Sequence, residues 1–213
     1  MAWLSNIMLE ILKVFYSIGG ANYGLAIIWL TVAVNMALYP LTLQSMVQMA
    51  AMQRVQPKLK KIQDKFKDEP QKLQKEMMDL YKSEGVNPLG GCFPLLLKIP
   101  LFLALFFALQ SKEFMVLIGE GSSFLWLGNL AKPDPTNIMP VLIGVTMWLT
   151  QKSMPQQPGT NQAIIMWVMP IFIVMVSIPF PSGVQLYWVI SNLIAWAQQQ
   201  YIMSIKIPKG EKA

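Results

Sequence analysis

Histidine is absent from this 213-residue chain, cysteine occurs once, and charged residues make up only 13% of it. Without histidine, Ser-His and Cys-His catalytic arrangements and His-ligated metal sites are excluded. A lone Cys92 forms neither an internal disulfide nor a thiolate-rich zinc site. No GxxxxGK(S/T) phosphate loop occurs, so nucleotide-driven work has no motif to rest on. Soluble domains carry about 25% charged residues, and half that charge on a chain that is 54% apolar points to lipid as the solvent.

A helix needs about 20 mostly apolar residues to cross the hydrocarbon core. Runs of that kind predict an all-α integral membrane protein with five transmembrane helices, a cytoplasmic antiparallel helical hairpin and an N-terminal interfacial amphipathic helix. The expected order is interfacial helix 1–20, spans 21–44 and 89–110 enclosing the hairpin segment 45–88, external loop 111–136, span 137–152, link 153–162, spans 163–180 and 183–205, and a basic tail 206–213. In the first segment Leu4, Ile7, Met8, Ile11, Phe15 and Ile18 recur at helical spacing, which is the pattern of a helix lying in the interface. The third span is short: Ile138 to Leu149 covers only about 18 Å at 1.5 Å per residue, so the bilayer should thin locally or Gln151 and Lys152 should snorkel.

Thirteen of the 17 basic residues fall on one side of these spans and three on the other, Lys98 lying inside the second span. By the positive-inside rule the N-terminus is outside and the C-terminus cytoplasmic, which five spans satisfy. Segment 45–88 holds nine basic and six acidic residues, and its two apolar repeats, Leu59-Ile62-Phe66 and Leu73-Met77-Leu80, predict two helices starting at Pro57 and Pro70, the second ending near Gly85. Met46, Met49 and Met52 share one face where the first span leaves the membrane. Methionine suits a surface that accepts many apolar sequences, although generic packing uses it too.

Lys98 is the one formal charge within a span, and no carboxylate lies in any span to neutralise it. A lysine at that depth costs about 2.5 to 3.5 kcal/mol on insertion scales, so it faces protein or water and often serves a function. Counted from the cytoplasmic ends at Gln44 and Leu89, Asn35 and Lys98 sit at the same depth of about 14 Å, so they can share a cavity. Thr31, Asn35 and Thr42 lie on one face of the first helix, and Gln185, Trp188 and Asn192 on one face of the last. For these amides, ordinary interhelical hydrogen bonding competes with a direct role.

These features resemble the YidC/Oxa/Alb family of membrane protein insertases over nearly the whole chain. EMMDLYKSEGVNPLGGCFPLLLKIPLFLAL at 76–105 carries the resemblance, with YGLAIIWLTV, YPLTLQSMVQMAAMQRVQPKLK, IMPVLIGVTMWLTQKSMP and FPSGVQLYWVISNLIAWAQQQYI in the same order. The resemblance implies a five-helix core with a hydrophilic groove open to the cytoplasm and lipid and closed to the outside. It implies no enzyme activity, no cofactor and no sequence-specific nucleic acid contact. Its implied partners are the lipid bilayer, nascent or newly made membrane proteins, the Sec translocon and the ribosome. Lys98, Asn35, Thr31, Gln185, Trp188 and Asn192 would line the groove, and Met46, Met49, Met52 and Pro100 would contact substrate or docking partners.

The chain opens directly on the interfacial helix, like the family core without the N-terminal anchor and large external domain of some members. Bacterial members usually carry a groove arginine where this chain has Asn35, and many carry glutamine where it has Lys98, as if the positive charge had moved between facing helices. Two other classes compete with this one: a Ser-Lys hydrolase using Ser177 or Ser191, and a small transporter or channel. The spans show no duplicated pair of broken helices to favour the latter.

Overall fold

In the computed structural model, which describes residues 2–87, 93–118, 123–153 and 164–205, the regular elements are all helices. They are α1 (Ala2–Ile18), α2 (Tyr23–Ala37), α3 (Tyr39–Lys65), α4 (Pro70–Ser83), α5 (Phe93–Leu109), α6 (Lys112–Ile118), α7 (Ile138–Ser153), α8 (Met169–Ser177), entered through a π-helical turn at Ile164–Val168, and α9 (Ser182–Ile205). The expected start of the second span at residue 89, the link beyond Ser153 and the tail 206–213 lie outside the described residues.

Among the described residues no single helix is both long and apolar enough to cross a membrane. Two bent pairs meet that test together: Ser5–Ile18 with Tyr23–Ala37, turned by 112°, and Lys98–Leu109 with Lys112–Ile118, turned by 62°. The first bend is made by Gly20 and Ala21, both with positive φ, after which Asn22 Oδ1 accepts from the Gly24 and Leu25 N–H groups and caps α2.

Helix α1 is apolar on two sides. Met8, Leu9 and Leu12 are buried against α2 and α5, whereas Trp3, Ile7, Ile11, Val14 and Ile18 are exposed. The apolar set read from the sequence therefore mixed the two faces, with Met8 on one and Ile7, Ile11 and Ile18 on the other.

Two further corrections concern proline. The helix expected to run through residue 44 breaks at Leu38, because Pro40 has no N–H to give to the Met36 carbonyl and its ring crowds that turn. A new helix starts at once with Pro40 in its first turn. That helix, α3, then continues through Pro57, which was expected to be a start; Pro57 is exposed, on a side where solvent can satisfy the carbonyl it leaves free. Helix α4 folds back along α3, tied by Lys58 to Glu84 at 2.5 Å, and ends at Gly85, whose φ of 64° suits the left-handed position after a helix.

The core sits at the end of the bundle opposite this hairpin. Ile27, Leu105, Leu109, Phe114, Met139, Ile143 and Val184 are fully buried there, and the loop 123–137 drops Leu127 and Leu130 onto them. Backbone hooks hold the loop to the start of α9: Ser182 N–H donates to the Lys132 carbonyl at 2.8 Å and Gly183 N–H to the Leu130 carbonyl at 2.9 Å. Gly24 lets Phe124 lie on α2, since a Cβ there would stand 2.2 Å from the ring.

Asp134, 3% exposed, ties the loop to α7. Its carboxylate accepts from Met139 N–H at 2.8 Å, Thr136 N–H at 2.9 Å, Thr136 Oγ1–H at 2.7 Å and Trp126 Nε1–H at 3.5 Å. Burial alone would raise its pKa, but these hydrogen bonds together outweigh it and hold the carboxyl below the usual range.

Candidate functional site

Helices α2, α5 and α9 meet around Asn35. Its Nδ2 donates to the Thr31 carbonyl one turn back at 2.8 Å and to Ser191 Oγ of α9 at 3.4 Å. That leaves Oδ1 facing α5, where it accepts from Lys98 Nζ at 3.0 Å. An ammonium only donates, so the amide must present oxygen to it, and the two donor bonds of Nδ2 hold it that way. No ion pair among the described residues involves Lys98.

Beside this pair lies a partly open cavity of about 400 Å³. Its walls are Thr42, Ser45, Met46 and Met49 of α3, Lys98, Ile99 and Phe102 of α5, Thr150 of α7, and Tyr187, Trp188, Ser191, Asn192, Ala195 and Gln199 of α9. This volume far exceeds the roughly 15 Å³ that one water requires, and the polar groups can hold it, so the ammonium can keep solvent contact. The lining is mostly apolar, from methionine, aromatic and aliphatic side chains, with a minority of hydroxyls, amides and the Lys98 ammonium, and Phe102 meets Trp188 edge-on at 5.2 Å.

The cavity lies along α9 from Tyr187 to Gln199, on the side of the α3–α4 hairpin. The start of α9, with Val184 and Leu186, enters the closed core.

Of the residues singled out in the sequence, Lys98, Trp188, Asn192, Met46 and Met49 line this cavity, and Asn35 stands directly behind Lys98. Thr31 and Gln185 are fully buried outside it: Thr31 Oγ1 donates to the Ile27 carbonyl within α2 at 2.6 Å, and Gln185 Nε2 donates from α9 to the Ser177 carbonyl of α8 at 2.8 Å. Met52 and Pro100 are not among the lining residues, and Pro100 is exposed. Asn192 also donates to Thr146 Oγ1 of α7 at 3.2 Å.

Sequence reasoning did not place Ser45, Thr150, Tyr187, Ser191 or Gln199 in the cavity. The signal was available on α9, because extending the Trp188–Asn192 face by further turns reaches Ala195 and Gln199. Nothing in the sequence places Thr150 opposite them.

Outside the core the bundle presents large apolar side chains. Trp167, Ile171, Phe172 and Met175 are each more than half exposed, a band too extensive for contact with water. An all-helical bundle with an apolar exterior, a closely packed core at one end and a cation-bearing cavity towards the other defines the class: a helical membrane protein with a partly open cavity among its helices.

Comparison with known proteins makes this specific. A model of the "60Kd inner membrane protein" family matches residues 14–210, and the chain belongs to that family. Its relatives include the "Membrane protein insertase YidC" of Shewanella woodyi, 41% identical over 99% of this chain and 38% of the relative, and that of Geobacter sulfurreducens, 39% identical over 94% of this chain and 37% of the relative. The "Active YidC insertase crystal structure with the first transmembrane domain resolved" superposes with a TM-score of 0.72 at 27% identity, over 91% of this chain and 44% of that one. The chain thus spans less than two fifths of the length of these curated relatives.

Proposed function

We propose that this chain is a membrane protein insertase, a passive chaperone that takes hydrophobic segments of newly made membrane proteins from the cytoplasm and releases them into lipid. The observation that carries the reading is the cavity beside Lys98, amphiphilic and partly open, in a bundle whose other end is closed by a packed loop. A substrate's short polar tail enters this cavity while its apolar segment slides along the bundle into the bilayer. Burial of that segment drives the step: at about 25 cal/mol per Å² of apolar surface removed from water, a 20-residue helix gains far more than the few kcal/mol needed to desolvate a short tail.

In this reading the five spans are built on α2, α5, α7, α8 with its preceding turn, and α9. Helix α1, turned 112° from α2, lies in the outer interface with its second apolar face in lipid. The α3–α4 hairpin and the C-terminus are cytoplasmic, as the basic residues favour. The hairpin, with no buried residue on α4, is the surface offered to incoming chains, the ribosome or the Sec translocon. The membrane is the bacterial inner membrane, a reading supported by the family description, which names an inner membrane protein, and by the organisms of the relatives. The short α7 thins the bilayer beside the cavity.

Purified chain in liposomes should insert a single-span substrate released from a translation system without nucleotide hydrolysis by the protein, scored by protease protection. Protection no greater than in empty liposomes would refute the reading.

A further inference from the structure

Three consecutive glutamines near the end of α9 are used differently. Gln198 Nε2 donates to the Asn35 carbonyl at 3.3 Å, and Gln200 Nε2 donates to Ser153 Oγ at 2.8 Å. Between them Gln199, 1% exposed, lines the cavity, and its Nε2 has no hydrogen-bond partner among the described residues. Thr150, across the cavity, spends its hydroxyl proton on the Met147 carbonyl at 2.7 Å. A buried amide donor left open in this way is costly unless something that enters the cavity accepts from it.

The cavity therefore has two donor poles. Lys98 gives one of its three protons to Asn35 and has two to offer; Gln199 offers a neutral N–H. Ser191, bonded to Asn35 beside Lys98, and Gln199 are eight residues apart on α9, which is about 12 Å along the axis. An extended peptide covers that distance in about four residues at about 3.3 Å each.

We infer that Gln199 is a substrate-contact residue that takes a backbone carbonyl of the incoming polar tail about four residues from the group held at Lys98. This rests on the insertase reading above and deepens it: the ammonium responds to the tail's charge, whereas the amide reads a group that every peptide carries. Two such poles let one cavity hold tails of unrelated sequence in an extended form. A tail too short to reach from one pole to the other engages only one of them.

The test is insertion into liposomes of single-span substrates whose polar tails have eight or two residues, each with and without one acidic residue, by the unaltered chain and by Gln199→Leu. The expected result is a loss of about five-fold with both eight-residue tails, the size of one hydrogen bond, and no loss with the two-residue tails. The two-residue tails also report that the variant is folded. Equal loss with long and short tails, loss only with acidic tails, or no loss at all overturns the inference. Failure of the unaltered chain to insert any of the substrates would instead overturn the insertase reading itself.

Discussion

The two ends of α9 lie in opposite environments. At the loop end Val184 and Leu186 pack into a core with Leu109 and Leu130, Asp134 fixes the loop, and the backbone of Ser182 and Gly183 is hydrogen-bonded to loop carbonyls. Among the described residues one buried side-chain atom at this end lacks a partner, Gln185 Oε1. At the hairpin end four do, on Trp148 and Gln151 of α7 and Gln198 and Gln199 of α9, and Gln199 lines the cavity that bears the ammonium. Helices α7 and α9 thus have nearly all their buried polar groups satisfied by protein at the loop end and leave more of them for a guest or water at the other. A closed end costs conformational entropy to order its loop, and the buried leucines offset it; an open end keeps its binding capacity by leaving those bonds unmade.

The contrast breaks most completely at Lys98. Lys98→Ala should lower insertion of an acidic-tailed substrate by about tenfold, equivalent to about 1.4 kcal/mol, with a smaller loss for neutral tails. The exchange Asn35→Arg with Lys98→Gln should recover most of it, because the charge returns to the same site from the facing helix. Full activity in Lys98→Gln alone would remove the idea that the groove charge has moved to α5.

A smaller effect sharpens the other end. Asp134→Ala should lower the thermal midpoint of unfolding through a loss of about 1 to 2 kcal/mol, as for a removed helix cap, and circular dichroism in detergent measures it. Because the folded carboxyl titrates below the unfolded value of about 3.9, its contribution is present in full above that pH and is lost as pH falls through the folded value. The difference in midpoint between the unaltered protein and Asp134→Ala should therefore shrink below about pH 4. A difference independent of pH would mean that the carboxylate's charge plays no part in holding the loop.

How much of this was legible in the sequence depended on whether the signal was local. A lysine in an apolar run with no carboxylate near it demanded a polar neighbour, and counting residues along two helices put Asn35 opposite it. The two residues do meet, although the count assumed a first helix unbroken to Gln44 and the chain turns at Leu38. The break was readable from Pro40, but proline also suits the first turn of a helix, and the same ambiguity misplaced the helix start at Pro57. Asp134 was missed because KPDPTN reads as an ordinary turn; its importance arises only when Leu127 and Leu130 are driven into the core and bury the carboxylate with them. Helical spacing puts Gln199 on the Trp188–Asn192 face, but its burial depends on α7 crossing α9, which no spacing within α9 reveals.

One-sided water access to the cavity decides between this picture and a sealed or a through-going one. With Cys92 replaced by Ser, Ser191→Cys places the protein's single thiol beside Asn35 and Lys98, and a membrane-impermeant maleimide can be added to either face of oriented vesicles. Labelling from the hairpin face and none from the loop face is the expected outcome. Labelling from the loop face, or from neither, would mean that the cavity is not a half-channel open at the hairpin end.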